Sequence, residues 1–358
     1  MASNMVAPRS FHFIEVDEAR GILKKTNQIG NDILREINYY QSLPHELQYL
    51  FPRIISTSSE SELPSVEIEY YGYPTLHRFF MDYDSNNVLD AGSAMDSTIN
   101  ADNFDEEIFA GTENVFDSDA EIEIEVESRF SIWRKIFSRI KSAVDDMKRF
   151  IPESTVEEFE EAAREIYIKK VLTRFERIKS DPTIAEPIKN RVAKIMEKLP
   201  NMVEEILIPD TAKNFHVIHG DLCLPNIMME RELNFIRLID PRGEFGKFKI
   251  HGDGRYDLAK ILHSIEGGYD FIIEDRFIAR RRGDQIILKL DSAFEDKTHE
   301  IVRIFAEVFD LDANQMRQIR LIESTLFLSM VPLHSDAPKR QLAMLARGIE
   351  LFERVEKF

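Results

Sequence analysis

The chain has 358 residues, 43% hydrophobic and 31% charged, with a formal net charge of −18 and a single cysteine. That much apolar material excludes a collagen-like or wholly disordered chain, one cysteine excludes an internal disulfide, and no apolar run approaches the ~18–20 residues of a membrane span. The length suits two domains or one large two-lobed one, and a reducing, cytoplasmic setting is expected, because residues 1–10 lack the basic stretch and apolar core of a signal peptide.

Residues 11–16 and 21–26 read as two short strands around a turn at 17–20. A helix follows from about Asn31, with Ile33, Ile37 and Tyr40 on one face and an end at Leu43-Pro44. Residues 66–70 alternate like a strand and run into the turn Tyr71-Gly72-Tyr73-Pro74, after which 75–80 begins another helix. Between Asp82 and Glu127 stand fifteen Asp and Glu and no Lys or Arg. This block argues against nucleic-acid binding, since phosphates need cations. It reads as a solvated, mobile insertion whose excision leaves the fold intact, with 121–127 alternating like a strand at its end.

From Ser131 the periodicity is helical. Ile132, Ile136, Ile140, Val144 and Met147 recur at helical spacing, and Trp133 is a core position. Residues 154–157 have the form of a capping box opening a helix to about Lys179, and a further helix spans about 183–199. Residues 216–218, 227–229 and 235–239 then read as short strands, with a turn at 230–234. A hairpin pattern occupies 276–280 and 285–290, and 299–358 is helical again. The order is α+β: a small strand-rich N-terminal lobe, then a larger, mainly helical C-terminal lobe.

The chemistry-bearing residues lie in 217–260. His219-Gly220-Asp221 and, five residues on, Asn226 occupy a loop between two of the short strands. Asp240 follows the next strand, which the turn at 230–234 folds back beside Asn226. An amide oxygen and a carboxylate side by side are hard ligands suited to Mg²⁺. Asp221, slightly removed, is left to accept a proton. One base for a hydroxyl and two ligands for a metal on nucleotide phosphates make a phosphoryl-transfer arrangement. Cys223, in the same loop, reads as a small loop residue.

His219-Gly220-Asp221-x-x-x-x-Asn226 followed by Ile239-Asp240 resembles the signature of the aminoglycoside phosphotransferase and choline kinase group, small-molecule kinases with the bilobal protein-kinase-like fold. The resemblance implies residues 1–74 as the nucleotide-binding lobe and 75–358 as the catalytic and acceptor lobe, with the acidic insertion at 82–127. It implies Asp221 as catalytic base, Asn226 and Asp240 as metal ligands, and His219 and Asp257 as structural supports, Asp257 bracing the loop through backbone N–H groups. It also implies a strand Lys held by a helix Glu. Lys24 and Lys25 are both candidates, the resemblance favouring Lys25, and Glu36 is the partner. ATP or another nucleoside triphosphate and Mg²⁺ are the implied cofactors, and the implied partner is a small hydroxyl acceptor rather than nucleic acid or a membrane. The acceptor site is implied between the central strands and the C-terminal helices, where Arg242, His334, Arg340 and Arg347 are polar candidates. The wording at 69–74, 239–243 and 330–340 is similar to phosphotransferase-like proteins associated with bacterial capsule and surface-polysaccharide genes. Two departures stand out: no Gly precedes Phe11, so a Gly-rich phosphate loop is missing or minimal, and the acidic insertion sits beside the cleft mouth. They keep a pseudokinase as the rival reading, with a Ser/Thr protein kinase as a third.

Overall fold

The structure is a computed structural model that describes residues 12–27, 32–58, 63–81 and 118–357, apart from 231, 233, 243 and 291. Strands β1 (His12–Asp17) and β2 (Ile22–Asn27), helix α1 (Asp32–Ser42), and strands β3 (Ile54–Ser58) and β4 (Ser65–Glu69) form the N-terminal region. The four strands make one antiparallel sheet in the order β1-β2-β4-β3. Side chains alternate along a strand, so the two lysines of β2 point to opposite faces. Lys24 stands opposite Glu15 and Glu67, whereas Lys25 stands opposite Ile14 and Val66. The second face is the one that α1 covers, where Ile33 and Ile37 pack with Val66 and Ile68. Strand β3 has no counterpart in the sequence reading; all but its first residue are exposed, so it carries no apolar alternation to betray it.

The rest of the described residues are mainly helical: α2 (Leu76–Met81), α3 (Ser118–Met147), α4 (Val156–Arg164), α5 (Lys170–Ser180), α6 (Glu186–Ile206), α7 (Arg255–Ile265), α8 (Tyr269–Ile273), α9 (Ser292–Val308), α10 (Ala313–Met330) and α11 (Pro338–Glu356). Between α6 and α7 lie β5 (Phe215–Val217), β6 (Ile227–Met229), β7 (Ile236–Leu238) and β8 (His251–Asp253), and between α8 and α9 the hairpin β9 (Phe277–Arg282) with β10 (Gln285–Leu290). The central strands form two separate ladders, β5 with β8 and β6 with β7. Trp133 is fully buried among the rings of Phe79, Phe80 and Phe137. No helix among the described residues is long and apolar enough to cross a membrane.

Three sequence expectations are corrected. Residues 121–127 belong to α3 and not to a strand. Glu favours helix, and extending a helix already nucleated over the apolar stripe at 133–147 costs less than starting a lone strand. The expected mobility of the acidic insertion concerns 82–117, which lie outside the described residues. The helix expected to end at Leu199 runs on through Pro200 to Ile206, because Val203 and Ile206 are buried and their packing outweighs the lost N–H. The helix opened by the cap at Thr155, which accepts from the Glu158 N–H, is broken by a π turn at Glu165–Lys169 before it continues as α5.

Behind the central strands a buried guanidinium ties several elements together. Arg255 donates to both oxygens of Asp253, to Gln318 Oε1 (3.1 Å), to the Leu207 carbonyl (2.9 Å) and to Thr211 Oγ1 (3.1 Å). Asp253 is 0% exposed. Arg255→Leu should therefore cost about 3–5 kcal/mol in urea unfolding, because it leaves a buried carboxylate unpaired. Asp253→Asn combined with Arg255→Leu should recover part of that loss.

Candidate active site

The loop after β5 is held open from beneath. Gly220 has φ +78°, a left-handed conformation that a glycine adopts without steric cost. This turn aims two consecutive backbone N–H groups at one carboxylate: His219 N donates to Asp257 Oδ2 (2.7 Å) and Gly220 N to Asp257 Oδ1 (2.8 Å). Asp257 lies in the first turn of α7 and is 1% exposed. Burial pushes its carboxyl up to about 7, against the pull of the two N–H donors. Asp257→Ala would orphan both donors, so a loss of roughly 2–4 kcal/mol is expected in thermal or urea unfolding. Asp257→Asn, which keeps one acceptor oxygen, should lose less.

His219 fixes the loop to the β6–β7 hairpin. Its Nε2 lies 3.0 Å from the Ile239 carbonyl, and its Nδ1 accepts from Asp221 N at 3.2 Å. Both contacts are satisfied by one neutral tautomer with the proton on Nε2. Burial pushes the ring down to about 4, so it is neutral at physiological pH. Its ring stacks on Phe51 at 6.0 Å.

Asp221 is ion-paired with Lys260, Nζ to Oδ1 2.6 Å, and Lys260 is 6% exposed. Burial alone would raise the Asp221 carboxyl; the Lys260 and Arg242 charges more than reverse this and hold it well below the usual carboxylate range. Asn226 Nδ2 donates to the Asp221 carbonyl (2.9 Å), which fixes the amide and leaves Oδ1 as its acceptor atom. Ile239 N donates to the Asn226 carbonyl (3.0 Å), so the hairpin returns the chain beside Asn226 as its spacing suggested. The next residue, Asp240, has φ +55°, a left-handed conformation that aspartate adopts more readily than most non-glycine residues.

The N-terminal sheet reaches the same place. Lys25, 6% exposed, donates to Glu36 Oε1 (2.9 Å) and contacts Asp240 Oδ1. Tyr40 donates to the same Glu36 oxygen at 3.3 Å. Burial pulls the Lys25 ammonium down, but the Asp240 and Glu36 carboxylates outweigh it and hold it firmly protonated. Lys25, not Lys24, is thus the lysine that meets Glu36 and Asp240.

Lys25, Glu36 and Asp240 therefore form one cluster, and His219, Asp221, Asn226 and Asp257 another, joined through Ile239. Among the acceptor candidates, Arg242 lies beside the loop, with its backbone N on the His219 carbonyl (2.9 Å). Arg340 is instead spent on Asp275 (2.8 and 2.7 Å), and Arg347 on the Gly267 carbonyl and Glu350. His334 is buried in the turn between α10 and α11. Cys223 is buried, and burial pushes its thiol up, which suits a packing role. The residue missed from sequence is Lys260.

Among the described residues no group of three or more His, Cys, Asp or Glu could hold a metal. The pair Asn226 and Asp240 still fits Mg²⁺, which commonly takes one or two protein oxygens and completes its shell with phosphates and water. The Lys25 ammonium resting on Asp240 already shows a cation at that carboxylate.

No family model matches the chain, and no curated protein matches it in sequence. Solved structures do match. A thermostable mutant of the aminoglycoside phosphotransferase APH(4)-Ia, in its apo form, aligns over 96% of this chain and 90% of its own at 11% identity, with a TM-score of 0.50. The chain has the protein-kinase-like fold of that phosphotransferase. A choline/ethanolamine kinase family protein from Mesorhizobium loti aligns over 97% of this chain and 84% of its own, at 11% identity and a TM-score of 0.47.

Proposed function

We propose that the chain is an ATP- and Mg²⁺-dependent phosphotransferase that moves the γ-phosphoryl group to a hydroxyl of a small polar metabolite, such as a sugar, an amino alcohol or a surface-polysaccharide precursor. The observation that carries this reading is the meeting of the Lys25–Glu36–Asp240 cluster with the Asp221–Asn226 loop across the β6–β7 hairpin. Residues 1–74 serve as the nucleotide lobe and 75–358 as the catalytic and acceptor lobe. Lys25, fixed by Glu36, orients the phosphates. Asn226 and Asp240 would hold Mg²⁺, which would offset the charge of the phosphates. Asp221 accepts a hydrogen bond from the acceptor hydroxyl. As the hydroxyl oxygen bonds to the γ-phosphorus and the nucleoside diphosphate leaves, the proton passes to Asp221. A carboxylate held ionised by Lys260 suits a loose transition state, in which the proton moves late.

ATP with Mg²⁺ should raise the melting temperature, since a ligand at 100 Kd adds about 2.7 kcal/mol to the native state. Release of ADP should then appear with one member of a metabolite panel. Folded protein with no shift at millimolar nucleotide would overturn the proposal. Binding of ATP with Mg²⁺ but no ADP release across the panel would instead mark a pseudokinase.

A further inference from the structure

Asn226 ends the 3-10 turn Leu224–Asn226, and a second set of buried polar groups holds the start of that turn. The Leu224 N–H donates to Ser264 Oγ (3.2 Å), and the Ser264 hydroxyl donates to Asp270 Oδ1 (3.4 Å). Ser264 lies on α7 and is 0% exposed, and Asp270 lies on α8 and is 1% exposed. A hydroxyl has one proton to give. While Asp270 takes it, the lone pairs of Ser264 stay turned toward the Leu224 N–H.

The contacts continue to α2. Buried His77 has Nδ1 3.5 Å from Asp270 Oδ2 and Nε2 3.5 Å from Glu274 Oε1. Neither His77 Nδ1 nor Asp270 Oδ2 has a well-formed hydrogen bond among the described residues, so the pair is held by charge. A neutral imidazole would turn a lone pair toward one of the two carboxylates, so this setting favours a proton on both nitrogens. Burial pulls the His77 ring down, but the Asp270 and Glu274 carboxylates outweigh it and raise it. The imidazolium in turn offsets the cost of burying Asp270. The residues just before α2 grip the far side of the turn. Thr75 bridges Met228, and Met229 N donates to the Pro74 carbonyl (3.0 Å). The stretch 74–77, which leads out of the N-terminal sheet, therefore bears on Asn226 from both sides: along β6, and through His77, Asp270 and Ser264.

We infer that Ser264, Asp270 and His77 are positioning residues for Asn226, a buried relay from α2 through α8 and α7 to the Leu224 N–H that sets the turn presenting Asn226 Oδ1. The inference rests on the phosphotransferase reading above, in which that oxygen serves the metal. It gives a buried polar cluster away from the reacting groups a part in the metal side of the site, and it ties the connection from the N-terminal sheet to that side.

The test has two arms, both on the full chain. In the first, ATP affinity is measured by calorimetry with Mg²⁺ and with EDTA. Ser264→Ala should weaken the Mg²⁺-dependent part about 10-fold, the loss expected for one hydrogen bond, and leave the affinity in EDTA unchanged. Asp270→Asn, which keeps an oxygen for the Ser264 proton, should stay close to the parent, whereas Asp270→Ala should match Ser264→Ala. A cluster that merely supports the fold would lower the melting temperature of Ser264→Ala with no change in the Mg²⁺-dependent affinity, and this result overturns the inference. So does Asp270→Asn binding as weakly as Asp270→Ala. The second arm needs no ligand. Hydrogen exchange of the Leu224 amide should quicken about 10-fold in Ser264→Ala and, to a smaller extent, in His77→Leu, which leaves Asp270 without its counter-charge. Exchange at the parental rate in both variants overturns the relay. A folded parent that binds ATP no better with Mg²⁺ than with EDTA strikes instead at the phosphotransferase reading, and the exchange arm still decides whether the relay holds the turn.

Discussion

Asp221→Asn should lower kcat by about 10²–10⁴ while nucleotide and metal binding stay as in the parent, the range expected when a general base alone is removed. The carboxylate lies apart from the Lys25–Glu36–Asp240 cluster, and its ion partner is Lys260 (2.6 Å) on α7. On the proposed function, its side chain serves the acceptor and not the phosphates. Lys260→Met provides the complementary measurement. Asp221 is held low because Lys260 and Arg242 overcome the effect of burial. Without Lys260, burial gains ground and the carboxyl rises. Activity that needs the ionised form falls as pH drops through this value, so the acid limb of the pH–rate profile should move to higher pH in Lys260→Met. Calorimetry and turnover must be read on the same preparations. Asp221→Asn turning over like the parent would remove Asp221 from the chemistry.

The local part of this site was legible in the sequence. The His219-to-Asn226 spacing and the turn at 230–234 gave the hairpin that carries Asp240 to the loop, because a short antiparallel return leaves little freedom of register. The strand's period of two limited the lysine that can reach Glu36 to one of two neighbours, and the sheet seats Lys25 on the face covered by α1. Lys260 escaped because its partner, Asp221, lies in the loop after β5, and only the packing of α7 beneath that loop brings them together. A signal was nevertheless present: Lys260 interrupts the run Leu258, Ala259, Ile261, Leu262, and every residue of α7 is buried. An ammonium in such a helix must have a partner. The π turn at Glu165–Lys169 has no comparable signature, since one widened turn leaves the apolar spacing of α4 and α5 almost helical. Residues 121–127 were misread because an alternating Glu and Ile/Val stretch satisfies a strand pattern while lying at the start of a helix whose stripe begins only later.

Asp240→Ala should weaken nucleotide binding in the presence of Mg²⁺ by about 100-fold or more and bring turnover to background, because it removes a charge-assisted ligand that Asn226 alone cannot replace. The fold should tolerate the change. The Asp240 side chain is half exposed, and Lys25 keeps Glu36 at 2.9 Å as its partner when Asp240 is lost. The backbone complicates the comparison, since Asp240 sits at φ +55°, where alanine is less at ease than aspartate. Asp240→Asn resolves this, because asparagine accepts the left-handed conformation and keeps the shape while losing the charge. If the charge is what matters, both variants lose the Mg²⁺-dependent part of the affinity, and both keep whatever affinity the parent shows with EDTA. If the backbone is what matters, Asp240→Asn binds like the parent. Asn226→Ala should fall between, weakening the metal-dependent part without abolishing it. Asp240→Asn and Asp240→Ala both binding the metal–nucleotide complex like the parent would place the metal elsewhere and leave Asp240 as a counter-ion for Lys25.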